Sequence, residues 1–373
     1  MAAVLKTIQS GTITMADAAA TDTVARGVDT GFDASVVLAN TWVWFSVSSD
    51  GTGGTDLENC GVMCVLTDVD TITFTREASS GPLVIQWRLV EWTSGVIVQH
   101  LTTTLTGATG TQAIAGATTG GRFIVSLGAV CDNMNDWQRH NGMMTFDNDT
   151  QVGITRNTSN GTDITYSYMV IEYDGCTVQV ANPTFTTTTN TTDTATITAV
   201  DTGKTLLFGT VNASLVNADD AQYMLAFANT TTINFTRNTG TSGTFEFTVY
   251  VVEFDDDSVV RRNPVVTASG TGTNNETITA VVLAQSAACM SGVGPFGGFT
   301  GITALTGTSA IDRHFVTNEL TSTTNHRSIR GDSTTDSSYE SQVVEFQLGG
   351  GAGVPVLGHV PRGRDRGIRR GSQ

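Results

Sequence analysis

The sequence predicts an all-β fold: four tandem β-sandwich-like units followed by an extended basic C-terminal arm. Only 14% of the 373 residues are charged, and 40 glycines stand against 6 prolines. Segments rich in Thr, Ser, Asn and Gly favour short strands joined by turns. No stretch shows the capped, 3.6-residue apolar spacing that is typical of a helix.

The strongest evidence for four units is an internal repeat. An apolar residue, a glutamate and an aromatic residue occur together four times, and the glutamates are 81, 81 and 92 residues apart. An arginine lies 15 or 16 residues before each glutamate, and a bulky apolar residue lies 10 residues before each arginine. The apolar residues are Leu66, Phe146, Phe227 and Leu320. A constant register in four copies indicates one duplicated structural unit.

The repeat divides the chain into consecutive segments. We expect β units at residues 1–98, 99–181, 182–263 and 264–348, and the Gly/Arg-rich arm at 349–373. In the third unit, apolar runs lie at 195–200, 205–212, 222–229, 232–237 and 244–254, with turn-forming residues between the last two. Such runs predict short strands and a closing β-hairpin. A unit of this size buries only about 60–65% of its unfolded surface, so closing two sheets into a sandwich or small barrel would stabilise it.

The repeated charged residues are candidate site residues, and we interpret them as structural anchors. Because catalysis needs one asymmetric constellation, a motif present in every unit argues against an active site. We expect these residues to anchor loops or contacts between units, with a metal or sugar contact as the alternative. They are Arg76, Glu91, Arg156, Glu172, Arg237, Glu253, Arg330 and Glu345.

No pattern indicates a cofactor, a metal site or an enzyme. Five widely spaced cysteines do not suggest a disulfide framework, and Cys60 and Cys64 lack the second ligand pair of a zinc site. The acidic turns at Asp147–Asp149 and Asp255–Asp257 lack the spacing of an EF-hand loop. Neither a phosphate-binding loop nor a nucleophile-elbow motif is present.

Charge is distributed unevenly along the chain. The formal net charge is -16, yet the last 25 residues carry +4, which leaves -20 for the rest. A body this acidic is a poor general binder of nucleic acid, and no apolar run is long enough to span a membrane. We expect the arm to lock onto an acidic neighbouring subunit; a solvated tail is the alternative. Its arginines are Arg362, Arg364, Arg366, Arg369 and Arg370.

Three segments resemble modular virion proteins of tailed bacteriophages. They are the opening strand Lys6–Thr14, the segment Thr196–Asp201 followed by Lys204, and the closing Val-Glu-Phe strands that end at Phe254 and Phe346. The resemblance implies a non-enzymatic structural or surface protein of the particle, such as a capsid decoration, tail or appendage component.

The expected function is therefore structural, through contacts with other virion proteins and in a homo-oligomer. Serial β units of this kind suit stiff rods. The first residues contain no apolar signal-peptide core, so we expect assembly in the host cytoplasm and a place in the virion. The alternative is a receptor-binding or glycan-binding fibre protein, with Trp137 as the best glycan contact. A depolymerase would need a converging carboxylate pair, which no motif indicates.

Overall fold

The structure is a computed structural model of the chain. It describes residues 3–17, 19–49, 61–77, 81–116, 121–131, 141–157, 163–185, 192–214, 224–236, 244–267, 272–291, 316–330 and 337–347. Within these ranges the protein is built from β-strands, which confirms the predicted all-β class. The helical elements described there are two single 3-10 turns, Leu38–Asn40 and Leu283–Gln285.

The strands fall into four groups, which we call repeats 1 to 4. Repeat 1 contains β1 (Val4–Met15), β2 (Thr21–Ala25), β3 (Thr41–Ser49), β4 (Met63–Asp68), β5 (Thr71–Thr75) and β6 (Leu83–Ser94). Repeat 2 contains β7 (Val96–Leu105), β8 (Thr109–Ala113), β9 (Gly121–Cys131), β10 (Met143–Asn148), β11 (Gln151–Thr155) and β12 (Ile164–Tyr173). Repeat 3 contains β13 (Cys176–Ala181), β14 (Thr184–Phe185), β15 (Thr192–Thr196), β16 (Thr205–Ala213), β17 (Met224–Asn229), β18 (Thr232–Thr236) and β19 (Phe245–Phe254). Repeat 4 contains β20 (Val259–Thr267), β21 (Thr273–Thr277), β22 (Ser286–Ser291), β23 (Val316–Ser322), β24 (Asn325–Arg330) and β25 (Ser337–Glu345).

Every repeat pairs its strands in the same order. One antiparallel sheet places the last strand between the first and third strands, as in β1-β6-β3. The other sheet places the fifth strand between the second and fourth, as in β2-β5-β4. In repeat 3 the first strand is split into β13 and β14, which both pair with β19.

Aromatic contacts join the two sheets of a repeat. Phe45 on β3 packs edge-to-face on Phe74 of β5, with ring centroids 5.6 Å apart. Phe247 on β19 lies 4.9 Å from Phe235 of β18. Since alternate side chains of a strand point to opposite faces, each repeat closes its inner faces into a small sandwich. This is the β-sandwich-like architecture expected from the sequence.

The predicted unit boundaries meet the first strand of a repeat. The boundary at 98/99 falls inside β7, that at 181/182 follows the last residue of β13, and that at 263/264 falls inside β20. Each of these strands hydrogen-bonds to the last strand of the repeat that it begins. The pairing therefore groups residues from about 96, 176 and 259 onward with the next repeat.

Most of the core is one continuous apolar cluster that runs through all four repeats. The inner core of repeat 4 is different, because it consists of two smaller clusters. One is formed by Ile278, Val281, Ala288 and Val343, and the other by Val316 and Tyr339. Among the described residues, these two clusters are separate from the main apolar cluster.

Candidate functional site: the aromatic hub and the seams between repeats

The aromatic residues of the repeated motif meet at one point of the molecule, which we call the hub. The centroid of Trp92 lies 6.1 Å from that of Tyr173, and Tyr173 lies 5.1 Å from Phe254. Phe254 lies 6.0 Å from Phe346, which in turn lies 5.4 Å from Trp92. All four contacts are edge-to-face, the geometry that aromatic quadrupoles favour. The four repeats thus close around a shared aromatic circle.

Trp42 packs against this circle. Its ring lies 4.3 Å from Trp92, 5.7 Å from Phe346 and 5.8 Å from Tyr173, and it is fully buried. Trp44, two residues further along β3, stacks on Phe346 and also approaches Phe208 of repeat 3. Contact between repeats 1 and 4 and between 1 and 3 corrects the expectation of a rod. Short turns bring each last strand back to the same centre, so the array closes instead of extending.

Contacts between consecutive repeats, which we call seams, recur at equivalent positions. The fourth strand of one repeat packs on the last strand of the next. At the 1/2 seam the Ser167 hydroxyl donates to the Cys64 carbonyl at 2.6 Å. At the 2/3 seam the Tyr250 hydroxyl donates to the Met144 carbonyl at 3.3 Å. The two carbonyls occupy the same position in the β4/β10 hairpin strands, and both hydroxyls lie on the last strand of the next repeat.

The 4/1 seam has the same form and completes the circle. Asn318 on β23 donates its backbone N–H to the Ser46 hydroxyl at 3.1 Å. Arg88 on β6 donates to the Asn318 carbonyl at 2.5 Å and to its side-chain oxygen at 3.3 Å. Arg88 is 5% exposed, and burial lowers its pKa to about 10, although Cys289 and Glu319 act in the opposite direction.

The repeated arginine lies under the loop between the first and second strands. Arg76 is 1% exposed, and its guanidinium donates to the carbonyls of Ala16, Asp17 and Ala19 at 2.8–2.9 Å and to that of Gly81 at 2.7 Å. These bonds tie the first loop to the turn that precedes the last strand. The geometry is that of a loop anchor.

The other copies of the arginine occupy the same place where the structure describes them. Arg156 is buried, and it donates to the Gly107 carbonyl at 2.7 Å and to the Leu105 carbonyl at 3.3 Å. Arg330 is also buried, and its backbone N–H donates to the Gly272 carbonyl at 2.9 Å. Arg237 lies outside the described residues.

The repeated glutamate holds the loop that leads into the third strand. Glu91 accepts the backbone N–H of Val37 at 2.9 Å and pairs with Lys6 at the same distance. Glu253 accepts the backbone N–H of Asp201 at 2.7 Å. Val37 and Asp201 each lie four residues before the start of a third strand, at Thr41 and Thr205. The two bonds are therefore equivalent.

The remaining two glutamates differ in their surroundings. Glu345 pairs with Arg261 of the adjacent strand at 3.0 Å. Glu172 is 2% exposed at the end of β12, next to the hub residue Tyr173. The seven described members of this set of eight charges therefore do not converge on a common cleft in the described part of the chain, and each lies within its own repeat.

The remaining predicted site residues are a tryptophan and the arginines of the arm. Trp137 and the five arm arginines lie outside the described residues. The other four tryptophans, Trp42, Trp44, Trp87 and Trp92, are all buried. Within the described ranges, no group of three or more His, Cys, Asp or Glu side chains could hold a metal ion. Neither is there, in the same ranges, a helix long and apolar enough to cross a bilayer.

Burial raises the pKa of several thiols. Cys64 and Cys131 are buried free cysteines, and so is Cys176, whose pKa rises to about 12 because burial disfavours the thiolate. The thiol of Cys289 is affected in the same way, and its pKa is also about 12. A raised pKa leaves the thiols of Cys64, Cys176 and Cys289 protonated at neutral pH, so they act as small apolar side chains.

Two hydrogen-bond donors at the seams, a histidine and an arginine, were missed by the sequence reasoning. His100 of β7 donates through Nε2 to the Thr41 carbonyl at 2.9 Å across the 1/2 seam. Arg262 of β20 donates to the Thr202 carbonyl at 3.3 Å and to the Thr205 carbonyl across the 3/4 seam. Arg262 also lies 4.6 Å above the Phe227 ring. His100 and Arg262 occupy the same position of a first strand. This shared position could have identified them, but it can be recognised only after the strands have been aligned.

Comparisons with known proteins add no relative. No protein-family model matches the chain, and no curated protein matches it either.

Proposed function

We propose that the chain is a structural component of a tailed-bacteriophage virion, of the capsid-decoration or tail/appendage type. In this role it is not an enzyme and acts through contacts with other virion proteins. The proposal starts from the resemblance carried by Lys6–Thr14, by Thr196–Asp201 and by the closing Val-Glu-Phe strands.

One observation carries the proposal: the described repeated charges hold loops within their own repeats and do not line a common cleft. Arg76 and Arg156 donate to loop carbonyls, and Glu91 and Glu253 accept loop N–H groups. Because the same anchors hold equivalent loops in more than one repeat, the molecule is a body that presents similar loops more than once. Many moderate contacts from such a body can add up to tight attachment on a particle.

Deletion of the arm tests the proposal. Particles would be purified by density gradient from cells producing either the full chain or a chain lacking residues 349–373. We expect the full chain to co-purify with particles, and the shortened chain to be released while retaining its β-sheet circular dichroism. Absence of the full chain from purified particles contradicts a virion role, whereas equal incorporation of both chains contradicts a role for the arm.

A glycan array distinguishes the alternative of a receptor- or glycan-binding fibre protein. The purified chain would be compared with a Trp137→Ala variant. We expect no specific signal from either. Saturable glycan binding that is lost in the variant would favour the receptor-binding function instead.

A further inference from the structure

A cavity of about 370 Å³ lies at the 4/1 seam, between β1 and β6 of repeat 1 and the start of β22 and β23 of repeat 4. Its lining includes Ser10, Gln86, Arg88, Leu283, Ser286 and Glu319. The cavity is therefore predominantly polar, with hydroxyl, amide, guanidinium and carboxylate groups on facing walls.

The equivalent place in two other seams contains a longer hydrogen-bond donor, a neutral imidazole in one and a guanidinium in the other. In the sheet registers, Ser10 lies opposite Arg88, His100 opposite Met169 and Arg262 opposite Gln342. Each of these partners lies three residues before the repeated glutamate. Ser10, His100 and Arg262 therefore occupy the same position on their first strands.

The carbonyls that accept hydrogen bonds from His100 and Arg262 are also equivalent. His100 bonds to the carbonyl of Thr41, and Arg262 bonds to those of Thr202 and Thr205. Thr41, Thr205 and Ser286 all begin a third strand and lie opposite the repeated glutamate. Ser286 and Leu283 are thus the counterparts of Thr205 and Thr202, and both line the cavity.

Ser10 is too short to fill the position that Arg262 fills at the 3/4 seam. Arg262 pairs there with Glu340 at 2.5 Å and lies over Phe227. At the 4/1 seam the carboxylate comes from Glu319, which stands one residue before the counterpart of Phe227. One of its oxygens already pairs with Arg327 of β24, and the other accepts a bond from Gln86 at 3.3 Å. The 4/1 seam therefore has a cavity at the position where the 3/4 seam contains the Arg262 guanidinium. This cavity is lined by a carboxylate and by the counterparts of Thr202 and Thr205.

A planar guanidinium suits this cavity better than an ammonium group. It presents several N–H donors in one plane, so that it can serve two carbonyls and a carboxylate at once. Arg88 also lines the cavity, but its guanidinium is engaged by both oxygens of Asn318. We propose that the cavity at the 4/1 seam is a binding slot for an arginine side chain, held as Arg262 is held at the 3/4 seam.

The C-terminal segment of this chain is the source we assign to that arginine, an assignment that rests on the proposed function of the arm. Five arginines lie between 362 and 370. The last described residue, Gln347, donates its backbone N–H to the Ser258 hydroxyl at 3.2 Å, beside the hub. The fifteen residues from there to Arg362 can span about 50 Å when extended, enough to reach this seam or that of a neighbouring copy.

The slot can be tested by calorimetry with a host in which the five arm arginines of the full chain are replaced by glutamine. A synthetic peptide of residues 354–373 is the probe. We expect one peptide to bind per chain and Ser10→Arg in the host to weaken binding at least tenfold, because the new side chain fills the cavity. Ser10→Ala leaves the cavity open and should bind as the host does. A peptide with lysine in place of all five arginines should bind at least tenfold more weakly.

Several outcomes would overturn the slot. Equal affinity for the Ser10→Arg host, or equal affinity of the lysine peptide, would show that the arm binds through general surface charge and not in the slot. Saturable binding of inorganic phosphate that Ser10→Arg abolishes would make the cavity an anion site led by Arg88. Circular dichroism and the melting temperature establish that the Ser10→Arg host is folded. A chain that carries Ser10→Arg and keeps its native arm can also be assayed for incorporation into particles. Full incorporation would show that attachment to the particle does not use the slot, while the proposed virion function stands.

Discussion

At the residue scale, the repeated arginine works through backbone carbonyls rather than through a carboxylate. Arg76 reaches four carbonyl groups in two loops while almost fully buried. A buried guanidinium is costly unless its donors are satisfied, and a buried carbonyl is costly when its donor is removed. One side chain therefore satisfies two loops that carry few apolar contacts of their own.

Replacement of Arg76 by methionine should lower the free energy of unfolding by about 3 kcal/mol, since it leaves buried carbonyls without donors. Arg76→Lys should recover only part of the loss, because an ammonium group cannot reach both loops. Urea denaturation measures both values.

Arg26→Met is the matched control, because Arg26 and Asp70 form an exposed pair at 2.6 Å. Exposed pairs contribute less than about 1 kcal/mol. Losses of equal size at Arg26 and Arg76 would show that the buried arginine is not an anchor.

His100 makes the 1/2 seam sensitive to acid. Burial lowers its pKa to about 4, although its bonds to the carbonyls of Thr41 and Leu38 favour protonation. The unfolded chain has an ordinary histidine pKa near 6.5. Between those two values the unfolded state binds the proton and the folded state does not, so stability must fall as the pH is lowered through this window.

His100→Gln should remove this component while keeping a donor for the Thr41 carbonyl. Between pH 7 and pH 4, we expect the natural chain to lose about 2 kcal/mol more than the variant, less than the full shift implies because the imidazole is not wholly buried. Urea titrations at several pH values give the difference. Parallel pH profiles for the two proteins would exclude His100 as the titrating group.

At the element scale, β24 departs from its counterparts. His326 occupies the position that Ile72, Val152 and Ile233 occupy in the other fifth strands. It is fully buried, neither ring nitrogen has a hydrogen-bond partner among the described residues, and Nδ1 lies 3.7 Å from a carboxylate oxygen of Glu276. At this position, repeat 4 therefore has a buried imidazole without a described hydrogen-bond partner, whereas the other three repeats have an aliphatic side chain.

His326→Ile should raise the free energy of unfolding by about 1–2 kcal/mol, because it removes two buried nitrogens without partners. The converse change, Ile72→His, should lower it by at least as much. Thermal and urea unfolding of both variants provide the comparison. A destabilised His326→Ile protein would mean that the imidazole is used in the folded state.

At the scale of the whole molecule, closure distinguishes this array from an open stack of repeats. In an open array each repeat touches only its sequence neighbours. Here Phe346 of repeat 4 contacts Trp42 and Trp92 of repeat 1, and Asn318 contacts Arg88. The last repeat thus supports the first, and neither end repeat is left with an open face at the hub.

Phe346→Ala should test the closure. Removal of this ring should lower stability by about 3–4 kcal/mol through the cavity it leaves, and it should shift the tryptophan emission to longer wavelength. Val282→Ala, at a half-exposed position, is the control and should change stability by less than about 0.5 kcal/mol. An unchanged emission spectrum would contradict packing of Phe346 on Trp42 and Trp92.

Periodic features of the sequence predicted much of this structure. Constant spacing of the Glu and Arg markers identified four copies, and turn-rich composition identified strands instead of helices. The sequence could not show that Trp42, Trp92 and Phe346 converge, because they are up to 304 residues apart. Nor could it show that Ser10, His100 and Arg262 share one position, because the three side chains differ in chemical type and their alignment depends on the strand registers.

The sequence by itself determined the all-β class, and its markers predicted four repeats and the residues expected to anchor them, since local periodicity and turn chemistry act over a few neighbouring residues. Only the tertiary structure decided that the repeats close around a hub, and that one seam keeps a cavity where another holds a guanidinium. Closure depends on the angle at which successive sandwiches pack, and that angle results from side chains distant in sequence filling one shared core.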